Sequence, residues 1–189
     1  MELIEAIKER RSIRRFKPEP VPRELLAGLL GEALWAPSAM NTQPWRFVVL
    51  TGAKKDELVA IAARSLAQLD TRLKTLFKES MRTIVHGYFR DFGGAPAVVA
   101  ALAKEPETEG YMGGSYQSAA AAFYNFLLLA HEAGLGTCWM TGPLWVEDEL
   151  LAFLGHKEGW RLLALTPVGW PDQTPPVPPR KHQDIIWLE

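Results

Sequence analysis

A chain of 189 residues with 48% hydrophobic and 23% charged residues has a soluble-globular composition and the length of one domain. At this size roughly 70% of the unfolded surface is buried on folding. Twenty-one basic residues face twenty-two acidic ones, which excludes a global field for nucleic acid or an anionic membrane, so any attraction for anions must be local.

The first residues, "MELIEAIKERR", carry acidic groups early and lack the apolar core of a signal peptide. The most apolar stretch, "AAAAFYNFLLLA" at 119–130, is interrupted by Asn125 and too short to span a bilayer. A cytoplasmic protein is expected. The single cysteine, Cys138, excludes an intrachain disulfide framework, and with four scattered histidines it gives no zinc spacing.

In chain order, Leu3, Ile4 and Ile7 at helical spacing predict a first helix over 2–10. A second restarts near Arg23 with Leu25, Leu26, Leu29, Leu30 and Ala33 as its apolar stripe, and Pro37 stops it. "WRFVVLTG" reads as a strand. The 3.6-residue period of Leu58, Ile61, Ala62, Leu66, Leu69, Leu73, Leu76 and Phe77 predicts one long helix over 53–80. Residues 81–94 are ambiguous and hold an aromatic cluster, Tyr88, Phe89 and Phe92. "APAVVAALAK" at 95–104 predicts a central strand, "TEGYMGGSY" a loop, and 115–133 a helix that is apolar nearly all round and so buried in a core or at a subunit interface. "TCWM" is strand-like, "VEDELLAFLG" helical, and "WRLLALTPVGW" a strand. The last stretch, from 170 to 189, is a proline-rich arm ending in "IIWL"; it cannot make its own core and is expected to wrap over another subunit. Strands interspersed with long helices indicate a three-layer α+β or α/β domain over 1–189.

Four segments could carry chemistry. In "RRSIRRF" (10–16), Arg10, Arg11, Ser12, Arg14 and Arg15 crowd a helix end. Cations there favour the macrodipole and are commonly just solvated. They also suit a phosphate, since guanidinium is a planar bidentate donor and Ser12 adds a hydroxyl. The neutral overall charge weakens a nucleic-acid reading. In "APSAMNTQPW" (36–45), Pro37 stops a helix, and Asn41 with Thr42 suits an Asx-type turn. That does not explain why Gln43 and then Pro44 and Trp45 follow so tightly; planar amides offer the donor and acceptor needed to read the edge of a heteroaromatic ring. "GLGTCWMTGP" (134–143) lacks the third glycine of a dinucleotide-binding fingerprint and follows a helix. Cys138 there reads as a small core residue, and Gly142 at a strand end lets backbone approach a flat ligand. In "PPRK" (178–181) prolines stiffen Arg180 and Lys181, either as a solvated turn or for an anion contact. No catalytic triad, paired glycosidase carboxylates, phosphate-binding loop or metalloprotease motif is present. Missing chemistry points to a borrowed cofactor.

The ordered set "RRSIRRF", "PVP", "APSAMNTQPWRFVV", "GLGTCWMTG" and "PVGWPDQTPPVPPRK" resembles the nitroreductase family of FMN-dependent oxidoreductases across almost the whole chain. Each motif alone is weak; their order is specific. The resemblance implies an α+β fold, a three-layer α/β/α sandwich around a mainly antiparallel sheet. It further implies an intertwined homodimer with FMN at the interface. Carried over, Arg10, Arg11 and Ser12 with Arg180 or Lys181 would hold the phosphate and ribityl chain, and Arg14 would stabilise negative charge near the pyrimidine of the reduced ring. Pro37, Ser38 and Asn41 would come from the partner subunit, with Gln43 supporting that loop, while backbone at Trp139, Met140, Thr141 and Gly142 would line the ring. The 170–189 arm would embrace the other subunit. The implied activity passes hydride from NADH or NADPH through flavin to nitroaromatics, quinones or similar small acceptors, by a ping-pong mechanism with no catalytic side chain and no metal. Flavin handling without turnover, dehalogenation and flavin cleavage stay open as alternatives. So does the role of Tyr88, Phe89, Phe92, Tyr111 and Tyr116, as a pocket cap or as core packing.

Overall fold

The structure is a computed structural model that describes residues 2–156, 158–180 and 185–188. Its centre is a four-stranded sheet in the order β1-β2-β4-β3, with every neighbouring pair antiparallel. The strands are β1 (Trp45–Thr51), β2 (Ala97–Lys104), β3 (Gly136–Thr137) and β4 (Trp160–Gly169). The run 95–104 is the expected central strand, and alternation along it divides two cores. Val98, Ala100 and Leu102 enter one; Ala97, Val99 and Ala101 enter the other. Between Ala101 and Leu102 the register slips: Ala101 pairs with Ala164 and Leu102 with Leu162. Leu163 is the extra residue of this bulge, so Leu163 and Ala164 both serve one core while Leu162 and Leu165 serve the other.

Helices cover both faces, giving the expected three layers. On one side lie α2 (Arg23–Ala33) and α6 (Met112–Glu132), with Leu26, Phe123, Phe126 and Leu127 inward. On the other lie α3 (Gly52–Ala63), α5 (Glu79–Asp91) and α7 (Glu147–Phe153), closed by Leu58, Phe89, Leu150 and Leu151. The first helix, α1 (Leu3–Glu9), buries Ala6 but leaves Leu3, Ile4 and Ile7 exposed at 68%, 56% and 43%. Among the described residues nothing covers its apolar stripe.

Three expectations are corrected. The long helix over 53–80 is two helices, α3 and α4 (Leu66–Leu76), followed by an extended Phe77 before α5. At the break Ser65 is fully buried and donates its hydroxyl to the Ala62 carbonyl at 2.7 Å, while the Arg64 and Ser65 amides reach back three residues rather than four. A side chain competing for a helical acceptor tightens the turn there. The ambiguous 81–94 is α5 plus a short turn at Phe92–Gly94. The loop expected at 108–116 is largely helical: a turn at Glu109–Tyr111 leads into α6 at Met112, and Gly114 lies under Ala39 at a distance that a Cβ would bring to 3.5 Å. "TCWM" is strand only at Thr137. The Cys138 amide bonds the Thr166 hydroxyl at 3.1 Å in place of a ladder partner, and Met140 rejoins the sheet opposite Leu165. Among the described residues no helix is long and apolar enough to cross a membrane, and no cluster of side chains could hold a metal ion.

Candidate functional site

The arginine-bearing segment leaves α1 at Arg10, where the backbone turns extended. Arg11 donates to the carbonyls of Lys8 and Arg10, each at 2.6 Å, so its guanidinium serves the helix end, as the macrodipole reading expects. Ser12 then bridges in parallel to Thr137, and the Ile13 amide donates to the Thr137 carbonyl at 2.8 Å. Phe16 pairs opposite Pro171, and its amide donates to Gly93 at 3.0 Å. Arg15 exchanges bonds with Asp172: its carbonyl accepts from that amide at 2.9 Å, and its guanidinium donates to that carbonyl at 3.0 Å. The segment is therefore an extended stretch tied down by isolated bridges and not a strand of the sheet, with Ile13 and Phe16 buried and Arg14 left facing out.

Two glycines permit this. A Cβ at Gly136 would meet the Ile13 side chain at 2.7 Å. At Gly93, whose φ is +70°, it would stand 2.0 Å from the Arg14 carbonyl oxygen.

Ser12, Arg14 and Arg15 form one side of a cleft of about 600 Å³, a size suited to a small ligand. Tyr88 and Asp91 of α5 and Thr174 to Pro176 at the start of the arm complete its walls. Tyr88 also resolves part of the aromatic question. Its ring stacks on Phe92 at 5.9 Å while Phe89 and Phe92 are core residues, so only the tyrosine reaches the cleft. Its hydroxyl donates to the sulfur of buried Met140 at 3.3 Å. Burial foremost, then the neighbouring Cys138, raises its pKa above the tyrosine range, so the phenol stays neutral.

Among the described residues Arg10 Nε is buried without a hydrogen-bond partner, and so is Nε2 of His131 near the end of α6. His131 has its pKa lowered by burial first and then by the Arg10 charge. Among the described residues no carboxylate lies within 4 Å of Arg10 or Arg14. These are the features an anion site needs, and they fit a phosphate-bearing group such as FMN.

The loop at 36–45 is as particular as its sequence. Met40, Asn41 and Gln43 all have positive φ, of 49°, 55° and 48°. Such backbone persists only where its surroundings hold it. Ser38 Oγ accepts from the Gln43 amide at 3.1 Å, Ser118 Oγ accepts from the Ala39 amide at 3.1 Å, and the Gln43 side-chain amide donates to Asn41 Oδ1 at 3.1 Å. The expected Asx turn is thus replaced: the Asn41 oxygen meets the Gln43 side chain, and Ser38 takes the backbone amide. Pro37, Asn41 and Gln43 are exposed and lie outside the Ser12–Arg14 cleft; Ala39, Met40 and Thr42 line a different one, with 104–108.

The remaining predicted positions are scattered. Trp139 packs edge-on against Phe123 at 4.5 Å, Met140 is core, Thr141 is exposed, and Gly142 sits tightly against Leu69 and Phe89. Arg180 donates to the nearby Pro178 carbonyl at 3.4 Å and does not line the Ser12–Arg14 cleft. Lys181 lies outside the described residues. Sequence reasoning singled out Tyr88 but missed the contribution of Ile84, Gly87 and Asp91 of α5 and of 173–176 to the cleft. The signal was spacing: 84, 87, 88 and 91 share a helix face, but a glycine and an aspartate hide it.

A family model described as "Nitroreductase family" matches residues 7–170. The chain belongs to the nitroreductase family. It is 28% identical over 182 residues to a putative NAD(P)H nitroreductase of Bacillus subtilis, spanning 94% of this chain and 89% of that one. It is 32% identical to an iodotyrosine deiodinase of Thermotoga neapolitana, over 95% of this chain and 94% of the relative. Among solved structures, an iodotyrosine deiodinase bound to FMN and 3-iodo-L-tyrosine superposes with a TM-score of 0.80 at 27% identity, covering both chains fully (100% each). The α+β nitroreductase fold expected from the ordered motifs is the fold observed.

Proposed function

We propose that this nitroreductase-family protein is an FMN-dependent oxidoreductase that takes electrons from NADH or NADPH and passes them to a small electron-poor acceptor. The observation that carries the reading is the cleft lined by Ser12, Arg14 and Arg15, where among the described residues Arg14 has no carboxylate within 4 Å; Arg10, on the same short segment, has a buried Nε without a partner among the described residues. When bound, FMN supplies the redox chemistry, accepting hydride from the nicotinamide and releasing the electrons to the acceptor.

The protein's share is placement and charge. Ser12 and Arg10 hold the phosphate and ribityl end, and Arg14 sets a positive charge where reduction makes the ring negative, an electrostatic rather than a proton-transfer role. Arg180 or Lys181 adds a second cation from the arm. No side chain is assigned as acid or base, so donor and acceptor use one cleft in turn. The site is completed by a second copy, which presents Pro37, Ser38 and Asn41 with Gln43 behind them. The exposure of that braced loop, of the α1 stripe and of Ile185–Leu188 supports this arrangement.

The likeness to deiodinases favours a second reading, reductive dehalogenation of an iodinated phenol in the same cleft. Steady-state kinetics separates them. With NADPH and a nitroaromatic or quinone, the proposed reaction gives parallel double-reciprocal lines. Turnover of 3-iodotyrosine with no reduction of either acceptor would favour the second reading.

A further inference from the structure

Gly87 lies in the middle of α5, where glycine is unfavourable relative to alanine. The fold gives no reason for it. The residue is inside a regular helix, and a Cβ built on it meets no atom within 4 Å, unlike Gly93 and Gly136 with their close crossings. What the position does face is the cleft. Ile84, Gly87, Tyr88 and Asp91 recur at one helix face and make one continuous wall.

Along that wall the side chains leave a notch. Ile84 stands 63% exposed at one side of it, an apolar group held in water. Tyr88 stands at the other with its hydroxyl engaged by Met140, so what it offers the cleft is ring surface. Between them lies bare backbone. The one charge on the wall, the Asp91 carboxylate, disfavours an anionic occupant; one of its oxygens accepts from the Gly93 amide at 2.8 Å.

We propose that Gly87 determines acceptor specificity, keeping open a flat apolar slot between Ile84 and Tyr88 for an uncharged aromatic acceptor such as a quinone. The assignment rests on the flavin chemistry proposed for the same cleft. A methyl at this position narrows the slot, and a branched side chain fills it.

The test uses FMN-loaded protein, NADPH as donor, and two acceptors: 1,4-naphthoquinone, which must lie in the slot, and ferricyanide, which need not. Gly87→Val should lower the naphthoquinone-to-ferricyanide ratio of kcat/KM at least tenfold, and Gly87→Ala should lower it about threefold. Gly87→Ala should also raise Tm by roughly 2–4 °C, because the helix gains and no contact is lost. An unchanged ratio in both variants would overturn the assignment. So would loss of bound flavin from the visible spectrum, which would place the cofactor rather than the acceptor on this wall, or a fall in Tm for the alanine variant, which would make the glycine structural. Wild-type protein that takes up no FMN would sink the flavin reading itself, an outcome visible before any variant is made.

Discussion

Arg10 and His131 set the electrostatics of the site residue by residue. Among the described residues the buried Nε of Arg10 has no partner, so a phosphate would gain a charge-assisted bond there without displacing one of theirs. Arg10→Ala should weaken FMN binding about 10- to 100-fold, the equivalent of one such bond, in a fluorescence titration; unchanged affinity would remove Arg10 from the phosphate site. His131 is depressed below its ordinary value by burial and by Arg10. The folded protein therefore binds fewer protons here than the unfolded chain. Stability contributed by neutral His131 is complete above the unfolded value of about 6.5 and falls as pH drops through it towards the lower folded value. His131→Asn should flatten that slope in denaturant titrations of the flavin-free protein between pH 7 and 5. An identical slope in the variant would assign it to other groups.

At the scale of elements, the arginine-bearing segment is held by what it crosses. Gly93, at the turn after α5, and Gly136, in β3, let residues 12–16 lie against backbone on both sides. Gly93→Ala combines a positive φ with a Cβ 2.0 Å from a carbonyl oxygen. It should cost at least about 2 kcal/mol in a denaturant titration, and a cost near zero would mean that the segment is not packed as described. Much of this scale was legible. α1 follows from the 3.6-residue period of its own residues, and β2 from a short apolar run of β-branched and small residues suited to a central strand; β1 and β4 also lie where strands are read in the sequence. The break at Ser65 was not, because Leu58, Ala62, Leu66 and Leu69 pack on the same core on both sides of it and the period runs through. The strained loop was half legible: its polar residues announced a purpose, but Met40, Asn41 and Gln43 are not glycines, so nothing in their identity announced positive φ. Of the α5 wall only Tyr88 was legible, because Ile84, Gly87 and Asp91 are chemically unlike it and one another.

For the whole molecule, the surface left uncovered is as informative as the core. Leu3, Ile4 and Ile7 on α1, Trp35 after α2, Met40 in the braced loop and Ile185–Leu188 in the arm are all exposed apolar groups. A second copy is the proposed cover, and the cationic cleft and the 36–45 loop, which line different clefts of one chain, would meet across the interface. Ile4→Glu should shift the protein towards monomer in sedimentation velocity and release flavin in the same step. Monomer that retains flavin would show that one chain suffices for the site.

The proposed function turns on flavin binding and its reduction by a nicotinamide. The most direct measurement is the visible spectrum of the purified protein supplied with FMN, recorded anaerobically before and after NADPH or NADH. A protein-bound flavin band should bleach on addition of the donor and return with a quinone. A protein that stays colourless in the presence of FMN, or whose bound flavin neither donor bleaches, would contradict the proposed function.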